Sequence, residues 1–528
     1  MSTLKKTLAL LLTLFMTAAV CGCGAGGNAG QAGGTTNTTA SVATYLYNSE
    51  PLLDWDPSVE FSNGIVTLNN IYETLLYYDA INDKLEPRLA MEYSHSEDGL
   101  VWTFKIREGV KFHDGTALNA EAVKFSIDRT IEKGMGAAYI WDSVSEIKAV
   151  DEYTVEFDLS YAAPIDLVCA SGYAAFIFSP AAVKGYGDAW PEGSECGTGP
   201  YLLQSYTAGE EVILTKFDDY WRGWDGKHFD KAVIKKVSET ASRRQMMEKG
   251  DGDVTFNLPA QDVAEMKSNS LLNIVDVPSF QNLLVMLNCE KAPLDNPLVR
   301  QAMAYAFPYG DVVQYAAGAF ATQSTGAIPA GHWGHGKDLF QYTYDLDKAR
   351  ELFDEAGVDP SSIKLLLTYM SGDESEKKTA ELYKSELAKL GIDLEIRSMS
   401  WESQWELAKG NEANRQDIFI MYWWPDYATP YTWMFNLFHS EDTPAYNLNY
   451  YYNDALDTMI DEANVLAGTD RNAAEQKFIE AQKMLLEDCP SIFAYDLRNV
   501  WVENNTFMGH NSNPIYPNVI FFYDCYRG

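Results

Sequence analysis

Three short segments decide how this chain folds: 364–369 (KLLLTY), 393–399 (DLEIRSM) and 416–423 (QDIFIMYW). Each is a run of strand length rich in Leu, Ile, Phe, Tyr or Trp, and each reads as a β-strand. Between the first two, 376–390 sets Ala380, Tyr383, Leu387 and Leu390 on one helical face, and Gly391 closes that helix. Between the second and third, 401–409 aligns Trp401, Trp405 and Ala408 on a short helix. The β-α-β-α-β order predicts a parallel sheet with right-handed crossovers. Ligands on such sheets sit beyond the carboxyl ends of the strands, so the residues just after Trp423 are where a site is expected.

Upstream, Asn296-Pro297 caps and opens a helix running to Phe307, and Asp345 caps another that stops at Gly357. The first 200 residues have a different character. Trp102, Phe104 and Ile106 alternate with Thr103, Lys105 and Arg107, a half-buried strand. Glu108-Gly109 is expected to turn it into a returning strand at 110–113. A helix should begin at Asn119 as N-cap, with Leu118 and Val123 spaced as a hydrophobic staple. Tyr153, Val155, Phe157 and Leu159 mark another alternating strand. This part reads as α+β with antiparallel pairs.

The chain has 528 residues, a prior of about three domains or lobes. Its 13% aromatic content excludes disorder over most of the length. With 40 Lys+Arg against 75 Asp+Glu the net charge is −35, which repels phosphate and excludes nucleic acid as a partner. Lys5 and Lys6 precede an apolar run over 7–20 that is shorter than the roughly 20 residues a bilayer needs. That is the pattern of an export signal, expected over 1–22. Val20-Cys21-Gly22-Cys23 is similar to a bacterial lipobox, with Gly22 as the small residue before Cys23, the expected lipidation site. Residues 23–41, nearly all Gly, Ala, Thr, Asn and Gln, read as a flexible tether. Beyond them Cys169, Cys196, Cys289, Cys489 and Cys525 are odd in number and widely spread, and read as mostly buried thiols with at most one or two optional disulfides.

Several stretches together carry a family resemblance. Ile71–Leu76 (IYETLL), Leu85–Ala90 (LEPRLA) and 96–114 (SEDGLVWTFKIREGVKFHD) resemble the start of the family 5 extracellular solute-binding proteins, the peptide- and nickel-type receptors of ATP-binding-cassette importers. Gly197–Tyr201 (GTGPY), 293–306 (PLDNPLVRQAMAYA) and 344–357 (YDLDKARELFDEAG) follow in the family's order and spacing. The resemblance implies an α/β, two-lobed periplasmic-binding-protein-like fold (type II, cluster C) with a hinge and an extra α+β domain. It places lobe I at 42–86, 195–280 and 497–528, the extra domain at 87–194, and lobe II at 281–496, with hinge crossings near Phe280 and Asp496. It implies a monomeric extracytoplasmic receptor, lipid-anchored at the membrane face, that closes on a solute and docks on a permease with separate ATPase subunits.

Peptide-binding members carry a segment similar to Trp423–Pro430 (WWPDYATP), whose Asp pairs with the ligand's α-ammonium group; the resemblance assigns that role to Asp426. A carboxylate in a closing, water-poor cleft gains from a cation because the dielectric falls around both. On its own residues, Asp before Tyr-x-x-Pro is also ordinary turn or capping chemistry. Trp424 and Tyr427 are expected at the cleft, Trp423 and Trp401 are further candidates, and Trp405 is expected in the core. Asn282, just past the first crossing, is a candidate polar contact. Aromatic walls suit sugars as well as peptides, so oligosaccharide and nickel-chelate ligands stay open beside peptide. His332 and His335 (GHWGHG) lack the further ligands of a closed metal site and are expected in a solvated loop; neither metal nor cofactor is implied. No G-x-S-x-G, H-E-x-x-H or G-K-[ST] motif is present. A secreted carbohydrate-active enzyme is the alternative from another class, needing two carboxylates about 5–10 Å apart, and a sensing role would use the same residues as transport.

Overall fold

The computed structural model describes residues 41–52, 54–187, 190, 195–318 and 320–528. The expected export signal, the Cys23 lipidation site and all but the last residue of the tether lie outside these. Ser41, that last residue, is already anchored: its N–H and hydroxyl both bond the Asp230 carboxylate.

One mixed sheet runs through the molecule in the order Asp393–Met399, Lys364–Met370, Ile418–Trp423, Leu272–Leu287, Ser491–Asn504, Val254–Phe256, Val42–Tyr47, Lys231–Lys236, Glu211–Lys216 and Tyr201–Thr207. The segments that open the sequence analysis form one end of it. Lys364–Met370 pairs parallel with both Asp393–Met399 and Ile418–Trp423, as their order predicts. The intervening helices are Glu374–Ala388, capped by the Asp373 carboxylate on the Glu376 N–H, and Trp401–Lys409, capped by Ser400. The helix Pro297–Tyr305 starts on the Asn296 cap, and Leu346–Ala356 starts on the Asp345 cap and ends at a left-handed Gly357.

The two longest strands, Leu272–Leu287 and Ser491–Asn504, join the two ends of the sheet. They pair antiparallel from Leu272↔Asn504 to Pro278↔Arg498, lose register, and resume at Asn282↔Asp496. Proline 278 has no N–H to give a ladder, which suits a break at that point.

A separate four-stranded antiparallel sheet runs Ala90–His95, Val101–Ile106, Thr154–Leu159, Val144–Asp151. Trp102, Phe104, Ile106, Val155, Phe157 and Leu159 are buried, as their alternation predicts. The helix Ala120–Lys133 begins on the Asn119 side chain and covers this sheet. The expected returning strand at 110–113 is not a strand. Val110–His113 makes only a bridge, Lys111 to Ala117, and Val101–Ile106 pairs instead with Ala90–His95 just before it and with Thr154–Leu159 from further along the chain. The Glu108-Gly109 turn was a correct signal for a reversal, but long-range pairing took the ladder bonds.

The family-like stretches meet around one buried carboxylate. Glu73 accepts hydrogen bonds from Thr198 Oγ1, Tyr220 OH and Trp221 Nε1, each at 2.9 Å. Gly199 N–H donates to Ile71 O, and His113 N–H donates to Gly197 O. Such close passage leaves no room for a side chain: a Cβ on Gly197 would stand 2.1 Å from Ile71 O. Cys169, Cys196, Cys489 and Cys525 are buried free thiols and Cys289 a partly buried one; burial pushes Cys289 and Cys489 up to about 12. Among the described residues no helix is long and apolar enough to cross a membrane.

Gly197→Ala is expected to lower stability by about 1–3 kcal/mol, the usual cost of overpacking. Gly185→Ala, where nothing lies within 4 Å of the new methyl, is expected to leave the thermal midpoint in place. Equal midpoints for both variants would show that the 71–73 and 197–199 segments separate readily.

Candidate ligand-binding site

Asp426 stands in the loop directly after the strand Ile418–Trp423, beyond its carboxyl end, and is 4% exposed. The loop is held from below by the hydrogen bond of Trp423 Nε1 to Thr432 O and from the side by Trp333 Nε1 to Ala428 O. It is held from across the molecule by residues some 255 and 287 positions earlier in the chain. Ser171 Oγ lies 2.7 Å from both the Asp426 and Tyr173 carbonyl oxygens, and the Tyr139 phenol donates to Asp426 Oδ2. Asn436 Nδ2 donates in turn to the Tyr139 oxygen at 3.1 Å. Every group on the carboxylate is therefore neutral.

The other oxygen, Oδ1, has no hydrogen-bond partner among the described residues, and it is not among the sealed polar atoms. Burial pushes the Asp426 carboxyl up to about 7, and the Tyr139 hydrogen bond pulls against that rise. The carboxylate caps no helix: Tyr431–Phe438 begins on Pro430 without a side-chain cap. Turn or capping chemistry thus does not occupy it. What remains is a half-used, desolvated carboxylate, an arrangement that favours a cation bearing N–H donors.

The other expected residues fall in distinct places. Tyr427 is buried in the same loop, and Trp424 is 37% exposed. Trp423 is buried against Tyr446, with ring centroids 5.1 Å apart. Trp401 is 41% exposed and stacks on Trp405 at 5.3 Å, with Phe419 at its edge. Asn282 is fully buried, donating to Ala327 O and accepting from Trp433 Nε1, so its amide is used to tie strand to loop.

The expectation of a solvated loop at His332 is overturned. Its ring is 3% exposed, edge-on to Phe280 and Trp433, and burial lowers it to about 3. Nδ1 faces Trp333 O, which fixes the proton there and leaves Nε2 a buried acceptor without a partner. The rings of Phe280, Trp433 and Trp333 outcompete the glycines on which the loop reading rested. Among the described residues no group of three or more His, Cys, Asp and Glu is placed to hold a metal ion. Sequence reasoning missed Tyr139, Ser171 and Asn436. Tyr139 lies in a single 3-10 turn, Ala138–Trp141, with no periodicity to single it out.

Comparison with known proteins gives a consistent picture. The family model for bacterial extracellular solute-binding proteins, family 5 (middle) matches residues 84–445. The probable D,D-dipeptide-binding periplasmic protein DdpA of Escherichia coli K12 is 30% identical over 476 residues, covering 88% of this chain and 90% of its own. The glutathione-binding protein GsiB of Pectobacterium atrosepticum is 28% identical over 461 residues, covering 86% and 88%. Among solved structures, the periplasmic binding protein DppA of Helicobacter pylori in complex with the peptide STSA superposes with a TM-score of 0.79 at 24% identity, over 92% of this chain and 98% of that one.

Tyr139→Phe removes the phenol that favours the ionised Asp426. The carboxyl is then expected to titrate above its present value of about 7, followed by carbon-13 NMR of the Asp426 carboxyl. An unmoved midpoint would mean that Tyr139 does not donate to it.

Proposed function

The chain belongs to the family 5 bacterial extracellular solute-binding proteins, and from that membership and the Asp426 geometry we propose that it captures short peptides by their free N-terminus. It performs no chemistry on them and hands them to the permease of an ATP-binding-cassette importer. The observation that carries the reading is the open Oδ1 of a buried carboxylate whose side-chain partner among the described residues is a neutral phenol. An α-ammonium group supplies what is missing there: a positive charge and three donors, in a place where water no longer screens the attraction. Relatives named for binding a D,D-dipeptide and glutathione support a peptide-like solute.

Capture works by hinge closure in this reading. Lobe I comprises 42–86, 195–280 and 497–528 with the extra domain 87–194 upon it, and lobe II is 281–496. The bend lies where Leu272–Leu287 and Ser491–Asn504 lose register together, between Pro278 and Asn282. Tyr139 and Ser171 belong to the first lobe and Asp426 to the second, so the bonds between them cross from one lobe to the other. A solute that contacts both lobes in the closed state shifts the population toward it. Trp424 and Tyr427 wall the site beside Asp426, while Trp423, Trp401 and Asn282 support the loop and its neighbours. Cys23 carries the lipid that holds the receptor, as a monomer, at the outer face of the membrane.

Native mass spectrometry of the purified protein, with fragmentation of whatever co-purifies, tests the ligand class directly: peptide fragments are expected, and hexose mass differences would overturn the reading. Asp426→Asn is expected to weaken a retained peptide by about 1.5–3 kcal/mol, the worth of a hydrogen bond to a charged group, with an unchanged thermal midpoint. N-acetylation of that peptide should cost the wild type a similar factor and the variant little.

The pH dependence follows from the raised carboxyl. A bound ammonium holds Asp426 ionised, so the complex titrates below about 7 and binding at or below that pH releases a proton. Affinity should fall as pH drops through 7 toward 5, and calorimetry in buffers of different ionisation enthalpy should register the released proton. A flat profile from pH 7.5 to 5 would remove Asp426 from the site. Cys23→Ala should move the protein from the membrane to the soluble fraction.

A further inference from the structure

Gly468 is a buried glycine that its own backbone does not require. It closes the helix Asp454–Ala467 at φ −77° and ψ −12°, right-handed values that any residue adopts. What excludes a side chain there is a distant part of the chain. A Cβ on Gly468 would stand 2.7 Å from Ala163 N and 2.9 Å from its carbonyl carbon and oxygen, closer than side chains come to backbone. Those are main-chain atoms and cannot swing aside. A second glycine meets the same corner. Gly99, buried at φ +69°, would put a Cβ 2.7 Å from Thr469 Cγ2 and 3.3 Å from Gly468 O.

Both sides of this contact are stiff. On one side, the tip between Ala90–His95 and Val101–Ile106 is tied by Gly99 N–H to Ser96 O at 2.9 Å, Ser96 Oγ to Asp98 Oδ1 at 2.5 Å and Trp102 Nε1 to Gly99 O at 3.2 Å. Leu159 N–H donates to Leu100 O at 2.8 Å and fastens the tip to the segment that leads to Ala163. On the other side, the Thr469 and Asp470 N–H groups both donate to Leu466 O, and the Asp470 carboxylate caps Arg471–Asp488 on the Ala473 N–H. Arg471, three residues past Gly468, donates to Asp83 Oδ1 at 2.5 Å. In the lobe division proposed above, Gly99 and Ala163 belong to the extra domain and Gly468 to lobe II. Tyr139 and Ser171, the two residues that reach the Asp426 loop, come from the same extra domain.

We propose that this seam is the stop that sets how far the lobes close, and that Gly468 is a specificity-determining residue because it fixes the closed height of the cleft. The inference rests on the reading of a peptide receptor that works by hinge closure, and adds to it a task for the extra domain. Backbone against backbone makes a hard stop, since no side chain is there to repack and packed protein yields little under compression. The stop matters because the Tyr139 hydrogen bond to Asp426 works only over a narrow range of distance. A side chain at 468 would hold the lobes apart by its own thickness. The shortest solutes would then lose touch with one lobe, while longer ones would still span the gap.

The test offers a casein hydrolysate of dipeptides to hexapeptides to the full-length wild type, Gly468→Ala and Gly468→Val. Bound species are counted by native mass spectrometry, and thermal midpoints are taken with and without the hydrolysate. Gly468→Val should lower retention of the shortest peptides the wild type holds by about tenfold relative to the longest, with Gly468→Ala between the two. Its midpoint without peptide should match the wild type, and the rise on adding peptide should be smaller. An unchanged length distribution in Gly468→Val overturns the proposal, because the seam would then have no bearing on the bound state. So does a loss equal at every length, which would leave Gly468 no say in solute size. A lowered midpoint in peptide-free Gly468→Val also overturns it, since the contact would then be a fixed part of the resting fold. In all three cases the peptide reading stands. Capture of no peptide by the wild type overturns that reading itself, and this inference with it.

Discussion

Two long strands laid side by side in the middle of the sheet, each pairing with both halves of it or with the other, set what the rest of this molecule can do. Leu272–Leu287 and Ser491–Asn504 share twelve residue pairs on the two sides of a common interruption. A single crossing would let the two ends swivel freely, and an unbroken pair would hold them stiff. The larger break in this pair falls between Pro278 and Asn282, with a further register shift between Leu283 and Leu284. The break is reinforced locally: Ser279 Oγ donates to Leu497 O, and Gln281 N–H returns to Ser279 Oγ. Asp496 is pinned on the far side by Ser324 Oγ at 2.5 Å and Ala330 N–H at 3.0 Å. Side-chain hydroxyls thus serve backbone groups at the interruption, the Leu497 carbonyl and the Gln281 N–H.

Much of this was legible in the chain because it depended on local pattern. The parallel end of the sheet follows from three apolar runs separated by two amphipathic helices, and the caps Asn119, Asn296 and Asp345 act as their side chains predict. Asp426 was reachable because topology says where a parallel sheet opens and the family-like segment lies there. The partners that give Asp426 its chemistry were not. Tyr139 and Ser171 sit 287 and 255 residues away, in turns whose composition is that of any loop. His332 shows the converse failure: glycines on either side made a solvated loop the natural reading, and only the arrival of Phe280 and Trp433 buries it. The strand expected at 110–113 failed for the same reason, since ladder pairing is decided by what comes alongside.

Among the described residues, the buried carboxylates differ in how far their oxygens are used. Glu73 has three donors on its two oxygens, and Asp496 has one on each; both are finished structural acceptors. Glu376 accepts the Met370 N–H and is pushed by burial up to about 8, so at neutral pH it holds its proton and behaves as an acid. Asp426 lies between these cases. One oxygen is taken by a phenol that favours the anion, the other is open, and burial lifts it only to about 7. A cation arriving there would meet a carboxylate poorly solvated by its surroundings. The gain on pairing is large because water contributes so little to the empty state. A resident arginine would have saturated the oxygen and removed the need for a ligand. The neutral Tyr139 stabilises the anion without discharging it.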